Sequence, residues 1–154
     1  VGYYCALPSI GYLLGNAISG RKAAQLGMNR MILMGATLCV VALSAALLAD
    51  LADIVNPFIF FGSIAVMGIG NGMVLPSANA GMMSVRPQLA GTASGLGGAL
   101  TIAGGAAMAA LAGAMLKPGA GATPLLIIMA LSATGSVASI LWVMRREAAL
   151  RRSG

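Results

Sequence analysis

What most constrains this chain is where its charges fall. Residues 1–20, 31–49, 54–85, 87–116 and 118–144 carry no charged side chain. A helix crosses a hydrocarbon layer of about 30 Å in about 20 residues, so each run is long enough to do so. Composition agrees, since 59% of the residues are hydrophobic and 8% are charged, with a mean hydropathy of +0.95. A water-soluble core cannot hide that much apolar surface. The sequence therefore predicts an all-α membrane protein with five transmembrane helices, at about 1–19, 31–49, 57–81, 89–116 and 124–144. Pro57, Pro87 and Pro124 stand near three of the starts, where a helix tolerates proline best. Residues 145–154 form a basic tail.

The loops suggest an orientation. Three of the nine cations, Arg21, Lys22 and Arg30, cluster in SGRKAAQLGMNRM, residues 19–31. Arg86 lies in the third loop, and Arg145, Arg146, Arg151 and Arg152 follow the last helix. The intervening loops hold Asp50 and Asp53 on one occasion and Lys117 on the other. Cations thus alternate sides, as the positive-inside rule requires of cytoplasmic loops. The expected arrangement in the cell membrane is an N-terminus outside and a C-terminus in the cytoplasm. Because Val1 would start outside with no signal peptide before it, the chain reads as the C-terminal part of a larger protein. Arg21 and Arg30 are expected to cap the ends of the first two helices as well as orienting them.

Little here can do catalysis. There is no histidine, so His-based acid–base chemistry and the commonest metal ligand are missing. The three acids lie at or beyond helix ends, which leaves no intramembrane carboxylate pair. Cys5 and Cys39 each sit alone in a span, as small hydrophobes do. No enzyme activity, metal or cofactor is expected. The pI of about 10.2 does not signal nucleic-acid binding, because the cations are spent on loops.

Glycine, at 22 residues, lets membrane helices approach closely. The fourth helix has Ala93, Gly97, Thr101, Gly105, Ala109 and Gly113 at every fourth place. A segment this rich in small residues makes such a stripe in several registers, so close packing of the helix is expected more than any one face. In the third helix Pro76 breaks the hydrogen-bond ladder and is expected to bend it.

Two stretches carry a family resemblance. GNAISGRKAAQLGMNRMILMG is similar, through Gly15, Gly20, Arg21, Gly27, Arg30 and Gly35, to the glycine-and-basic loop of the major facilitator superfamily, though it lacks the Asp of that motif's best-known form. GIGNGMVLPSANAGMMSVRPQLAGTASGLGGAL resembles the tenth helix, loop and eleventh helix of its Bcr/CflA drug-efflux group, through Pro76, Asn79, Arg86, Pro87, Gly91, Thr92, Ala93 and Ser94. The resemblance implies most of a C-terminal six-helix bundle, the eighth to twelfth helices of a twelve-helix transporter. It also implies export of small amphipathic drugs or metabolites by proton antiport, with the proton-handling residues in an absent N-terminal part.

It further implies that the first, third and fourth helices line a cavity and that the fifth is peripheral. Helical spacing then selects the faces. Cys5, Ser9, Tyr12 and Asn16 share one stripe; Ser63, Met67 and Asn71 share another; Ser94, Gly98, Thr101 and Gly105 share a third. A Ser or Thr bonding back to its own helix is the commoner case, so Asn71 is the strongest single candidate, because an unpaired amide in lipid is costly. Ser132, Ser136 and Ser139 read as helix–helix contacts. Two other readings stay open: a membrane scaffold or truncation product without transport, and a channel-like subunit. The lipid bilayer is a partner in every reading, and the oligomeric state is left open.

Overall fold

A computed structural model describes residues 2–52, 56–115 and 123–153, with side chains from 6 to 152 within those ranges. The Cys5 side chain, Asp53 and Lys117 lie outside what is described. Five helices follow one another: α1 (Gly2–Leu26), α2 (Met28–Leu51), α3 (Pro57–Val85), α4 (Ala90–Met115) and α5 (Thr123–Ser153). A single 3₁₀ turn, Pro87–Leu89, leads into α4.

The helix ends follow local chemistry. Only Gly27 separates α1 from α2, and its φ of 84° is a left-handed conformation that glycine adopts without a Cβ clash. At the start of α3 the Asn56 side chain accepts a 2.9 Å hydrogen bond from the Phe58 N–H, and Pro57 takes the first helical position. Arg86 ends α3 in an extended conformation (φ −143°), as a residue preceding proline prefers.

The basic island is therefore helical. α1 runs through Arg21 and Lys22 to Leu26 and has no basic residue in its last turn. Arg30 lies in the first turn of α2, where a cation meets the positive end of the helix dipole. Neither arginine caps its helix in the way the sequence suggests. α5 likewise continues through the basic tail; its 31 residues span about 46 Å at 1.5 Å per residue, well beyond a hydrocarbon core.

Among the described residues four helices are long and apolar enough to cross a membrane: α2, α3, α4 with its preceding turn, and α5. This is the pattern of a multi-pass membrane protein. The sequence reading of five spans is met by four, because the tyrosines, Asn16 and serines of α1 dilute its apolar residues.

Contacts fix the arrangement. α3 packs against both α1 and α2, and α2 also against α5; α4 touches α3 and α5 more lightly. Pro8 meets Gly68, Tyr12 meets Gly72 and Ser19 meets Ser77, so α1 and α3 run parallel. Gly35 meets Gly70 while Cys39 reaches back to Met67, so α2 opposes α3. Asn29 Nδ2 donates to Glu147 Oε2 (2.7 Å), and Thr123 Oγ1 donates to Asp50 Oδ2 (2.5 Å). These bonds tie both ends of α2 to α5, running the other way. One end of the bundle thus collects Arg21, Lys22, Arg30, Arg86, Arg145, Arg146, Arg151 and Arg152.

The close packing lies in α3. Gly72 faces Gly15 of α1, Gly68 fits against Pro8 and Gly11 against Ala65, and a Cβ at Gly15 or Gly72 would overlap the opposing backbone. Gly70, on the other side, fits against Gly35 and Cys39 of α2. α3 is thus a wedge between two helices, with backbone contact on both flanks. The sequence reading placed this role in α4, and there it fails. A Cβ at Gly91, Gly95, Gly98, Gly104, Gly105 or Gly113 would meet nothing within 4 Å, and Ala112 alone is buried among the described residues of α4.

Candidate functional site

The helices α2, α3, α4 and α5 contact one another in a closed ring, with α1 outside it on α3. Inside the ring is a partly open cavity of about 420 Å³. Its wall is mostly aliphatic, with Met67, Met108 and Met129 from three different helices. Four residues bring polar atoms to it: Cys39 from α2, Asn71 from α3, and Ser132 and Ser136 from α5. No charged residue lines it.

Two of these groups are occupied. Cys39 Sγ donates to the Met67 carbonyl (3.5 Å) and lies 3.8 Å from Asn71 Oδ1. Ser132 Oγ donates to the carbonyl of Ile128 at 2.8 Å, one turn back on its own helix. For the Asn71 amide nitrogen and the Ser136 hydroxyl there is no protein partner among the described residues.

A second cleft, of about 480 Å³, opens between α1 and α3 towards the cationic end. Tyr12, Asn16, Ser19, Gly20, Pro76 and Asn79 are on its wall. At its base Ser19 and Ser77 are both buried and share a 2.9 Å hydrogen bond.

The residues singled out from sequence do not converge on one cavity. Asn71 and Met67 line the ring cavity, whereas Tyr12 and Asn16 line the outer cleft. Ser63 is buried, Ser9 is exposed, and neither lines a cavity described above. Ser94 and Thr101 are exposed on α4, and the Thr101 hydroxyl donates to Gly97 O at 2.8 Å. Of the motif residues, Gly15 sits in the α1–α3 contact and Pro76 borders the outer cleft. Arg21, Arg30, Arg86 and Gly91 are exposed. Sequence reasoning missed Ser136. The serine stripe of α5 was visible, but the helix was set aside as peripheral, and its ring position comes from pairing with α2.

Residues 4–144 match the family described as PUCC protein. No curated protein matches the chain, and no solved structure does. The family match overturns the resemblance to the major facilitator superfamily and its Bcr/CflA group, and with it the expectation of drug efflux and multidrug resistance. A partial six-helix bundle of that superfamily is likewise unsupported. The motifs behind the resemblance have local explanations in this fold. Gly27 makes a one-residue turn, and Gly68, Gly70 and Gly72 let three helices pack. The match spans most of the sequence, and the chain belongs to the PUCC protein family.

Proposed function

We propose that this chain is a membrane-embedded helical scaffold acting in the assembly of photosynthetic complexes. The observation that carries the reading is the family match over residues 4–144, since PucC is a protein involved in photosynthetic complex assembly or expression. Two features of the fold support it. The α1–α3–α2 wedge supplies a rigid body through backbone contact at glycines. Beside it stands α4, with small residues along its length and only light contact with α3 and α5 among the described residues. In lipid such a surface suits close approach by a transmembrane helix of the complex being built.

The cation-rich end is assigned to the cytoplasm by the positive-inside rule. α5 carries four arginines past the apolar region there, with Arg146 stacked over Trp142 at 5.3 Å.

The test is genetic and biochemical. Deletion in a phototrophic host should lower the near-infrared or red absorbance of the assembled complexes, and the gene supplied in trans should restore it. Cysteines at Gly98 and Gly105 on α4 should crosslink to a subunit of an assembling complex, while one at Trp142 on α5 should not. Wild-type complex levels in the deletion strain would refute the reading.

A further inference from the structure

We propose that the ring cavity between α2, α3, α4 and α5 is a binding site for an uncharged amphiphile, an apolar body bearing one carbonyl or ester oxygen. Such a site does not depend on the scaffold role. The volume of about 420 Å³ lies in the range of small-molecule sites, which are mostly apolar with a few placed polar groups. With no charged residue on the wall, a charged ligand would be desolvated without compensation.

The polar groups specify the rest. An amide and a hydroxyl without partners are costly in a medium that offers no water. Asn71 and Ser136 stand on different helices that both face the cavity, and both can donate. A carbonyl oxygen, with two lone pairs, satisfies either or both. Cys39 cannot replace them, because its thiol already donates to Met67 O. The three methionines give flexible, polarizable walls, suited to an apolar body of variable shape. Entry is from the side, past α4, which holds to its neighbours more lightly than α2 and α3 hold to each other.

The acceptor could be the ester of a bilayer lipid or the carbonyl of a free small molecule, and the experiment separates these. The probe is 4-decylbenzophenone, whose photoexcited ketone inserts into nearby C–H bonds. The full chain is labelled in nanodiscs, and the adducts are mapped by peptide mass spectrometry. Adducts are expected on the peptides holding Met67, Met108 and Met129. They should fall about tenfold in Asn71→Leu and several-fold in Ser136→Ala, the scale of one lost hydrogen bond. Thr134→Val, which is off the cavity wall and whose hydroxyl donates to its own helix at Ala130 O, should label as wild type.

Competition in the unaltered protein avoids any question of folding. Decanophenone should block labelling about tenfold better than decylbenzene, which has no acceptor. In discs of ether-linked lipid, a several-fold rise in labelling identifies lipid ester as the resident competitor; equal labelling identifies a free ligand. Either result supports the site. It is overturned if decylbenzene competes as well as decanophenone, or if adducts fall equally on outward residues such as Leu131 and Trp142.

Discussion

Adding a single methyl group at Gly72 tests whether α1 and α3 meet backbone to backbone. In Gly72→Ala the new carbon would press on the Tyr12 carbonyl oxygen, and would lie 2.9 Å from Asn16 N and 3.0 Å from Gly15 Cα. All three are backbone atoms, so no side chain can swing aside. Carbon contacts settle at about 3.5–4.0 Å, so the helices must separate by about 1 Å. A gap of that size forfeits about a quarter to a half of each contact along the interface. In lipid no hydrophobic term compensates, because the alternative neighbour is equally apolar. Overpacking of this kind costs about 1–3 kcal/mol, and the variant should lose stability in that range.

Gly15→Ala meets Ile69 O and the Gly72 Cα (2.9 Å) and should cost a similar amount. The double variant should cost less than the two singles added, because one separation of the helices relieves both clashes. Gly105→Ala is the control. Its methyl meets nothing within 4 Å, and alanine favours a helix over glycine by about 1 kcal/mol. It should be neutral or stabilising. Unfolding by SDS titration in mixed micelles, followed by far-UV circular dichroism, gives all four values. Wild-type stability in Gly72→Ala would refute the backbone-contact reading, and so would an equal loss in Gly105→Ala.

Three further outcomes can be checked. Ser77→Ala should cost about 1 kcal/mol by stranding the buried Ser19 hydroxyl, while the double alanine variant should cost no more than either single one; double-mutant unfolding measures this. Thr123→Val, which removes the donor to Asp50, should lower the unfolding free energy from the same titration by about 1 kcal/mol, whereas Thr134→Val, which loses only a bond to its own helix at Ala130 O, should change little. Single cysteines at Gly20 and Ser153 should react with an impermeant maleimide only from the cytoplasm and one at Asn56 only from outside, the positive-inside arrangement; labelling of Gly20 and Asn56 from the same side would remove it.

Charge placement made the helices legible, because an ionised group within the hydrocarbon is expensive and interrupts the apolar runs. It also made the alternation of ends legible, and α2, running antiparallel to the parallel pair α1 and α3, turns that alternation into one cationic end. It could not mark where a helix stops. Nothing in QLGM forbids helix except Gly27, so α1 runs on through Arg21 and Lys22 into water. Long charged side chains there reach solvent without ending the backbone hydrogen bonds.

The packing was less legible, and the two glycine-rich helices show why. Spacing of four occurs in both α3 and α4, as Gly68 and Gly72 in one and Gly97, Thr101 and Gly105 in the other. A small residue permits close approach but supplies no attraction of its own; it works only where a second helix brings a matching hollow. α3 finds one twice, in the Gly11–Gly15 pair of α1 and in Gly35 of α2. The match was in the sequence, but only as a relation between distant segments, Gly15 to Gly72 and Gly35 to Gly70. α4 has no such partner among the described residues, except that Met82 of α3 reaches Gly97. The same looseness exposes its small-residue surface. One packing difference between two similar helices therefore separates a fixed body from an accessible face. It also explains why the polar stripes did not identify a site: Asn71 and Ser136 come together through the ring of helices, not through either helix alone.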